Sequence, residues 1–316
     1  MSGEVITLTA SRADRLDKVI TGLIPTLSRS AAQRLIAQGR VKVEGCARDA
    51  DFRVRIGQTI AVTLPPALPE QPQAEQIDLS IVYEDASVIV INKPAGMVVH
   101  PAPGNPNRTV VNAVLAHAPE VINVGDARRP GIVHRLDKET SGLMLIARHQ
   151  EALLALQAQF KARTIRKTYL ALCVGRFAEN QGVVDQPIAR HPTKRRQMAI
   201  VPGGRPSVTY YTVKERFVAS DGAPYTLARA HPLTGRTHQL RVHFAALGHP
   251  IVGDALYGSR RDRLTRALKP RQMLHASELI FISPATGREI RAYAPLPDDI
   301  SAVLASLFSE SVHGEC

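Results

Sequence analysis

The chain has 316 residues, 44% of them hydrophobic, with 40 Lys and Arg against 28 Asp and Glu for a net charge of +12. That length predicts about two domains with a sizeable core, and the basic surplus favours a polyanionic partner, nucleic acid being the commonest. No apolar run reaches the roughly eighteen residues of a membrane span. The start, MSGEVITLTASRADR, lacks the basic-then-apolar order of a secretory leader. Cys46, Cys173 and Cys316 are too few and too scattered for a disulfide framework or a zinc site. A cytoplasmic protein with no membrane partner is expected.

Residues 14–63 read as a compact first module. Leu16, Val19, Ile20 and Leu23 carry the spacing of one helix face, and Pro25 stops that helix. Ser28 or Ser30 can cap a second helix, whose Leu35 and Ile36 face the core before Gly39 ends it. Val41/Val43, Val54/Ile56 and Ile60/Val62 then alternate as short strands. Arg29, Arg34, Arg40, Lys42, Arg53 and Arg55 fall on the polar positions, either as a solvated face or as a surface for nucleic acid. The wording RLDKVI, LSRSAAQRLIAQGRVKVEG and GQTI resembles S4 RNA-binding domains. The resemblance implies a basic surface against structured RNA, with Arg29, Arg34 and Arg40 among its contacts. Glu44 departs from that family, which usually has Asn before the glycine.

Residues 64–77, LPPALPEQPQAEQI, lack periodicity and are expected to form an extended linker. Residues 78–300 then read as one α+β domain and 301–316 as a C-terminal tail. VYEDASVIVINKPAGMVVHP reads as two short strands and a Lys-Pro-Ala-Gly turn. Residues 151–162 place Leu153, Leu156 and Phe160 on one helix face, and KTYLALCVG (167–175) reads as a buried strand. Further strands run through 207–233, followed by a helix from about 237 to 247. Strands that recur without regular helix alternation argue against a doubly wound parallel sheet.

GIVHRLDKETSGLMLIAR (131–148) is more heavily charged than a turn needs, with His134, Arg135, Asp137, Lys138 and Glu139 within six residues. A charged loop between strands accounts for it, and so does a site for chemistry. A kinase reading of His-Arg-Leu-Asp fails, because the Gly-rich loop, the Val-Ala-Ile-Lys strand and Asp-Phe-Gly are missing. His238 and His243 lie about 140° apart on a helix and are unsuited to one metal ion. Arg236 stands just before a helix that Thr237 can cap, and its planar fork suits a carboxylate. Tyr169 sits among apolar neighbours, where core packing explains it as readily as a role in a site.

GIVHRLDKETSG, KTYLALCVG, LTGRTHQLRVH (233–243) and GHPIVGDALYG (248–258) resemble the signature segments of the RluA-type pseudouridine synthases. NKPAGMVVHP (92–101) and MLHASELIFISPATG (273–287) extend the likeness over nearly the whole chain. Segments 184–200 and 100–113 point further, to the branch that modifies large-subunit ribosomal RNA. The resemblance implies a mixed, largely antiparallel catalytic sheet. It also implies a reaction that detaches uracil from ribose C1′, rotates it and rejoins it through C5, without metal or cofactor.

In that comparison Asp137 matches the catalytic aspartate, acting as nucleophile at C1′ or as base at C2′. Arg135 matches the residue that fills the space left by a flipped-out nucleotide. Tyr169 matches the one that stacks on the target base and whose hydroxyl assists loss of the C5 proton. Arg236 matches the one that pairs with the aspartate. His134, Thr140 and Ser141 are expected to shape the loop. Lys161, Arg163, Arg166 and Lys167, then Lys194, Arg195 and Arg196, and finally residues 259–271, are expected to line a basic cleft for RNA. A monomer acting on ribosomal RNA or a pre-ribosomal particle is expected. Three alternatives stay open: a synthase acting on tRNA or another RNA, a non-catalytic S4-type ribosome-assembly factor, and a nuclease built on Asp137. The nuclease would need further carboxylates and a divalent metal.

Overall fold

The computed structural model describes residues 4–64, 71–102, 104–259, 262–267 and 271–313, the side chains of Ala267 and of 308–313 excepted. They form two compact units, divided between Pro69 and Glu70. In the first, the helices Leu16–Leu23 and Arg29–Ala37 bury Leu16, Val19, Ile20, Ala32, Leu35 and Ile36 in one cluster with Val41, Val43, Val54, Ile60 and Val62. Ser28 is the cap of the second helix, its hydroxyl accepting the Ala31 N–H. Asp17, in the first turn of the first helix, is fully buried and accepts hydrogen bonds from Arg15, Arg29 and Gln33. Burial opposes its charge, but those donors hold the carboxyl well below the usual carboxylate range. Arg29 and Gln33 thereby fasten one helix to the other.

This unit differs from the expected 14–63 module in two places. Val5–Thr9 is an edge strand, paired antiparallel with Thr59–Thr63, so the unit starts well before residue 14. Ile56 is not a strand residue: the strand is Arg53–Val54, and Ile56 is 70% exposed in a turn. That turn is closed by Gly57, whose N–H donates to the Ala10 carbonyl. Glu44, where the S4 resemblance leads one to expect Asn, still forms a two-residue hairpin loop. It takes φ 50° before Gly45 at 77°, the left-handed pair that a two-residue hairpin loop needs. Thr59 anchors it, exchanging hydrogen bonds with both the backbone and the carboxylate of Glu44.

Residues 71–77, expected as linker, are bound to the second unit. Asn112 donates to the Gln73 carbonyl, and Glu75 bonds to the Asn112 carbonyl and to the Arg108 N–H. Positions 65–70 of the expected linker lie outside the described residues. The unit is built on a 9-stranded mixed sheet. Its order is Gln181–Asp185, Val208–Val218, Pro224–Pro232, Arg166–Val174, Leu274–Ile282, Ser141–Ala147, Val88–Lys93 and Ile81–Glu84, with Glu289–Tyr293 also paired to Leu274–Ile282. Only the contact between Leu274–Ile282 and Ser141–Ala147 is parallel.

The central strands read as continuous apolar runs because both faces are covered. Met144 and Ile146 join Ile89 and Ile91 in one cluster, while Leu143 and Leu145 join Val88 and Val90 in the other. Residues 301–313 of the expected tail are helical. Asp298–His313 is a helix that buries Ile300, Val303, Leu304 and Leu307 in the first of these clusters, whereas 314–316 lie outside the described residues. No helix among the described residues is long and apolar enough to cross a membrane.

The parallel contact places Gly142 against Ala276 with no room between them. Gly142 has φ 112°, and a Cβ there would fall on the Ala276 backbone. Gly142→Ala is therefore expected to destabilise the fold by about 3 kcal/mol or more, from strain and overlap together. Urea denaturation of the two proteins measures it.

Candidate active site

The charged loop entering Ser141–Ala147 is fastened from several sides. Lys93 ends the strand Val88–Lys93 fully buried, and its ammonium donates to the carbonyls of Pro94, Met97 and Lys138. Burial pulls that ammonium down to about 7, with the charge of Glu139 opposing. Arg271 donates to the Glu139 carbonyl and the Ser141 hydroxyl, and pairs with Asp299 of the C-terminal helix. Gln272 donates to the Thr140 hydroxyl, and the Thr140 N–H turns back onto the Asp137 carbonyl. His134 Nε2 accepts the Leu145 N–H, and burial lowers its pKa to about 3, so the imidazole is neutral. His134, Thr140 and Ser141 thus brace the loop.

On that support Asp137 presents its carboxylate. Oδ2 accepts from Arg241 Nη1 at 2.8 Å, and Oδ1 has no hydrogen-bond partner among the described residues. Arg241 belongs to the helix Gln239–Ala246 and turns its other edge onto Asp254. Nε lies 2.7 Å from Oδ2 and Nη2 2.9 Å from Oδ1, a bidentate pair. Asp254 is itself oriented by the N–H groups of Leu256 and Tyr257. The guanidinium also lies over the Tyr257 ring, 5.2 Å from its centre. Burial works against the charge on Arg241, but the two carboxylates hold it firmly protonated.

The aspartate's partner is therefore Arg241, not Arg236. The helix begins at Gln239 rather than 237, and Thr237 does not cap it. The Gln239 carboxamide instead accepts from the Arg236 N–H and the Thr234 hydroxyl, and His238 is left-handed at φ 56°. Through this turn Arg236 Nε reaches the Pro206 carbonyl at 3.3 Å, on the cleft wall. The signal for Arg241 was present in the sequence: an arginine inside the apolar part of a helix needs a buried acid.

Asp137 and Tyr169 line a cleft of about 600 Å³ in which Asp137 is the only carboxylate among the described residues. Arg129, Arg135, Lys161, Arg163, Lys167 and Arg236 surround it. Tyr169 is 8% exposed, and its hydroxyl has no partner among the described residues. Burial, and then the charge of Asp137, push that phenol above its ordinary range, so it stays protonated. Arg135 is exposed at the cleft, with no ion pair or hydrogen bond to the described residues. His238 Nε2 stands 3.9 Å from Asp137 Oδ2, while Nδ1 bonds the Tyr257 hydroxyl at 2.8 Å. That hydroxyl also accepts the Met198 N–H.

The other basic residues divide sharply. Lys194, Arg195 and Arg196 are exposed on the turn between Ile188–Arg190 and Met198–Ile200. The Met198 bond ties that hairpin to Tyr257 and so to the site. Arg34 is exposed and Arg40 half-buried, whereas Arg29 is committed to Asp17. Arg166 pairs with Glu289, and Arg271 braces the loop rather than lining the cleft. Positions 260, 261 and 268–270 of the third basic stretch lie outside the described residues. Among those described, no three His, Cys, Asp or Glu residues are grouped to hold a metal ion.

The family model for RNA pseudouridylate synthase matches residues 87–246, and the S4 domain model matches 14–60. The chain belongs to the RNA pseudouridylate synthase family. It is 48% identical to an uncharacterized RNA pseudouridine synthase of Chloroflexus aurantiacus, over 93% of this chain and 90% of that one. It is 44% identical to the ribosomal large subunit pseudouridine synthase D of Nitrosomonas europaea, over 93% of this chain and 84% of that one. Among solved structures, the human RNA pseudouridylate synthase domain containing 1 superposes with a TM-score of 0.56 at 28% identity, covering 78% of this chain and 98% of that one. This pseudouridine synthase is accordingly an isomerase that converts uridine to pseudouridine in RNA, with an S4 domain as a second RNA-binding element.

The two arginines separate in kinetics. Arg241→Lys keeps the charge but loses the fork, and is expected to lower kcat by about 10²-fold or more. Arg236→Ala is expected to raise KM and leave kcat nearly unchanged. Steady-state pseudouridine formation measures both.

Proposed function

We propose that this synthase isomerises uridines of large-subunit ribosomal RNA, with Asp137 as its catalytic residue. The RNA assignment draws on relatives named ribosomal large subunit pseudouridine synthase D in Nitrosomonas europaea, Xanthomonas campestris and Pseudomonas aeruginosa, at 41–44% identity over most of the chain. One observation carries the assignment of the residue. In a cleft whose other charged residues are all cations, one carboxylate is held by Arg241 through Oδ2, and its Oδ1 is without a partner among the described residues.

The target uridine leaves its helix to reach that oxygen, at a cost of a few kcal/mol. Arg135 fills the space it vacates, its guanidinium stacking between bases. Tyr169 stacks on the uracil. Because its phenol is held protonated, it serves as a surface and a hydrogen-bond donor rather than as a phenolate base. Oδ1 of Asp137 either attacks C1′ or removes the C2′ proton, and both routes need the same ionised, oriented carboxylate. The N1–C1′ bond breaks, the uracil turns, the C5–C1′ bond forms, C5 loses its proton and N1 gains one. The S4 domain contributes a further basic contact through Arg34 and Arg40.

The decisive test uses in-vitro-transcribed large-subunit rRNA carrying tritium at uridine C5, in the presence of EDTA. The wild type is expected to release tritium. Asp137→Asn is expected to bind the RNA with similar affinity and release none. Release that persists in the variant would remove Asp137 from the chemistry, and release abolished by EDTA would point to a metal-dependent reaction.

A further inference from the structure

Lys167 is a half-buried cation of the cleft with no ion pair among the described residues. It leads into Tyr169 on the strand Arg166–Val174, and both side chains line the cleft. Its ammonium makes no ion pair and no hydrogen bond among the described residues. It lies over the face of the Phe160 ring, 5.6 Å from the centre. The acids of the neighbouring elements are engaged elsewhere. Asp137 is held by Arg241, and Glu278 on the adjacent strand accepts from the Thr168 hydroxyl at 2.9 Å. The remaining charged or titratable groups lining the cleft are cationic or neutral: Arg129, Arg135, Lys161, Arg163, Arg236 and Arg241, with His100, His134, His238 and Tyr169. Gly235, exposed, lies beside the ammonium, where a Cβ would make ordinary contact with Nζ at 3.8 Å.

A half-buried cation without a counter-charge is unfavourable in the free protein and becomes favourable when an anion arrives. The anions that an RNA substrate carries before any bond breaks are its phosphodiesters. We propose that Lys167 is a phosphate-binding residue of the active site, taking a phosphodiester of the target nucleotide from the cleft that it lines with Tyr169. This rests on the reading of the cleft as the seat of a flipped-out RNA nucleotide. It sets Lys167 apart from Lys161 and Arg163, which are exposed at the rim and lie in the path of the flanking backbone.

The consequence is a pH-dependent grip. Burial pulls the Lys167 ammonium down to about 8. Phosphate binding needs the protonated form, so affinity is full below that value and declines as pH rises through it. Between pH 7 and 9 the protonated fraction falls by roughly tenfold, and the Kd for RNA weakens accordingly.

The test is fluorescence anisotropy with the full-length protein and a labelled transcript of large-subunit rRNA, over a salt series and from pH 7 to 9. Lys167→Met is expected to lower the slope of log Kd against log salt by about 0.7–0.9, the share of one phosphate. It is also expected to flatten the alkaline loss of affinity. Lys167→Arg should restore the slope and bind independently of pH, because a guanidinium stays charged throughout. A Met variant with the wild-type slope and pH profile overturns the proposal. So does a defect confined to kcat, which would place the ammonium against the departing base instead. If the Met variant does not fold, the wild type and Lys167→Arg profiles decide alone, and a pH-independent wild type sinks the idea. Pseudouridine formation on the same transcript is read separately. Binding without isomerisation would count against the ribosomal substrate and leave the assignment of Lys167 to its own measurements.

Discussion

Everything in the candidate site depends on one guanidinium shared unequally between two carboxylates. Asp254 takes the Nε/Nη2 edge of Arg241 and leaves Nη1 for Asp137. With the fork fixed by Asp254 and by the Tyr257 ring, the single bond to Asp137 has a defined direction, and the second oxygen is left for chemistry. Had Asp137 received the bidentate edge, both oxygens would be spent. The arrangement is also expensive to disturb, because removing Arg241 would leave Asp254 buried without its counter-ion, a loss on the order of 3–5 kcal/mol. The irregular entry to the Gln239–Ala246 helix follows from this demand: the chain turns through a left-handed His238 and lets Gln239 cap the preceding backbone, so that Arg241 faces inward.

Direction is useful only on a base that does not move. The sheet supplies that base, since Ser141–Ala147 is buried on both faces and its first residues press against Ala276. The loop before it is held by backbone carbonyls as well as side chains, which suits a carboxylate that must keep its position as a nucleotide arrives. Lys93 is the costliest of these supports, a fully buried ammonium that converts the ends of three carbonyls into a rigid corner.

The sequence made local features legible and left long-range choices open. The helix face of Leu16, Val19 and Ile20 and a capping serine at 28 or 30 follow from spacing that neighbouring residues determine, whereas the mixed sheet came from the family resemblance. The choice between Arg236 and Arg241 was legible only in part: an arginine among apolar helix positions asks for a buried acid, but both lie in one short segment and the helix start decides which one faces the loop. The linker reading of 71–77 failed for a related reason. A segment rich in Pro, Gln and Glu has the same composition whether it spans a gap or straps onto Asn112, and its backbone hydrogen bonds leave no trace in residue type. The C-terminal helix is different: Ile300, Val303, Leu304 and Leu307 carry the spacing of a buried face, so the pattern was there to be read.

A carboxylate is an unwelcoming destination for a polyanion, and this problem explains how the surplus of positive charge is distributed. Several basic residues are paired with the protein's own acids: Arg15 and Arg29 with Asp17, Arg166 with Glu289, and Arg271 with Asp299. Those do little to attract RNA, because their fields are largely cancelled by the partner within a few ångströms. Among the cations around Asp137, Arg135 and Lys167 are of the other kind, with no ion pair among the described residues. Unpaired charge, rather than the number of Lys and Arg in a stretch, marks where a phosphate backbone is drawn. Placed around a single acid already tempered by Arg241, it lets the cleft attract the RNA while keeping the one anionic oxygen that the reaction requires.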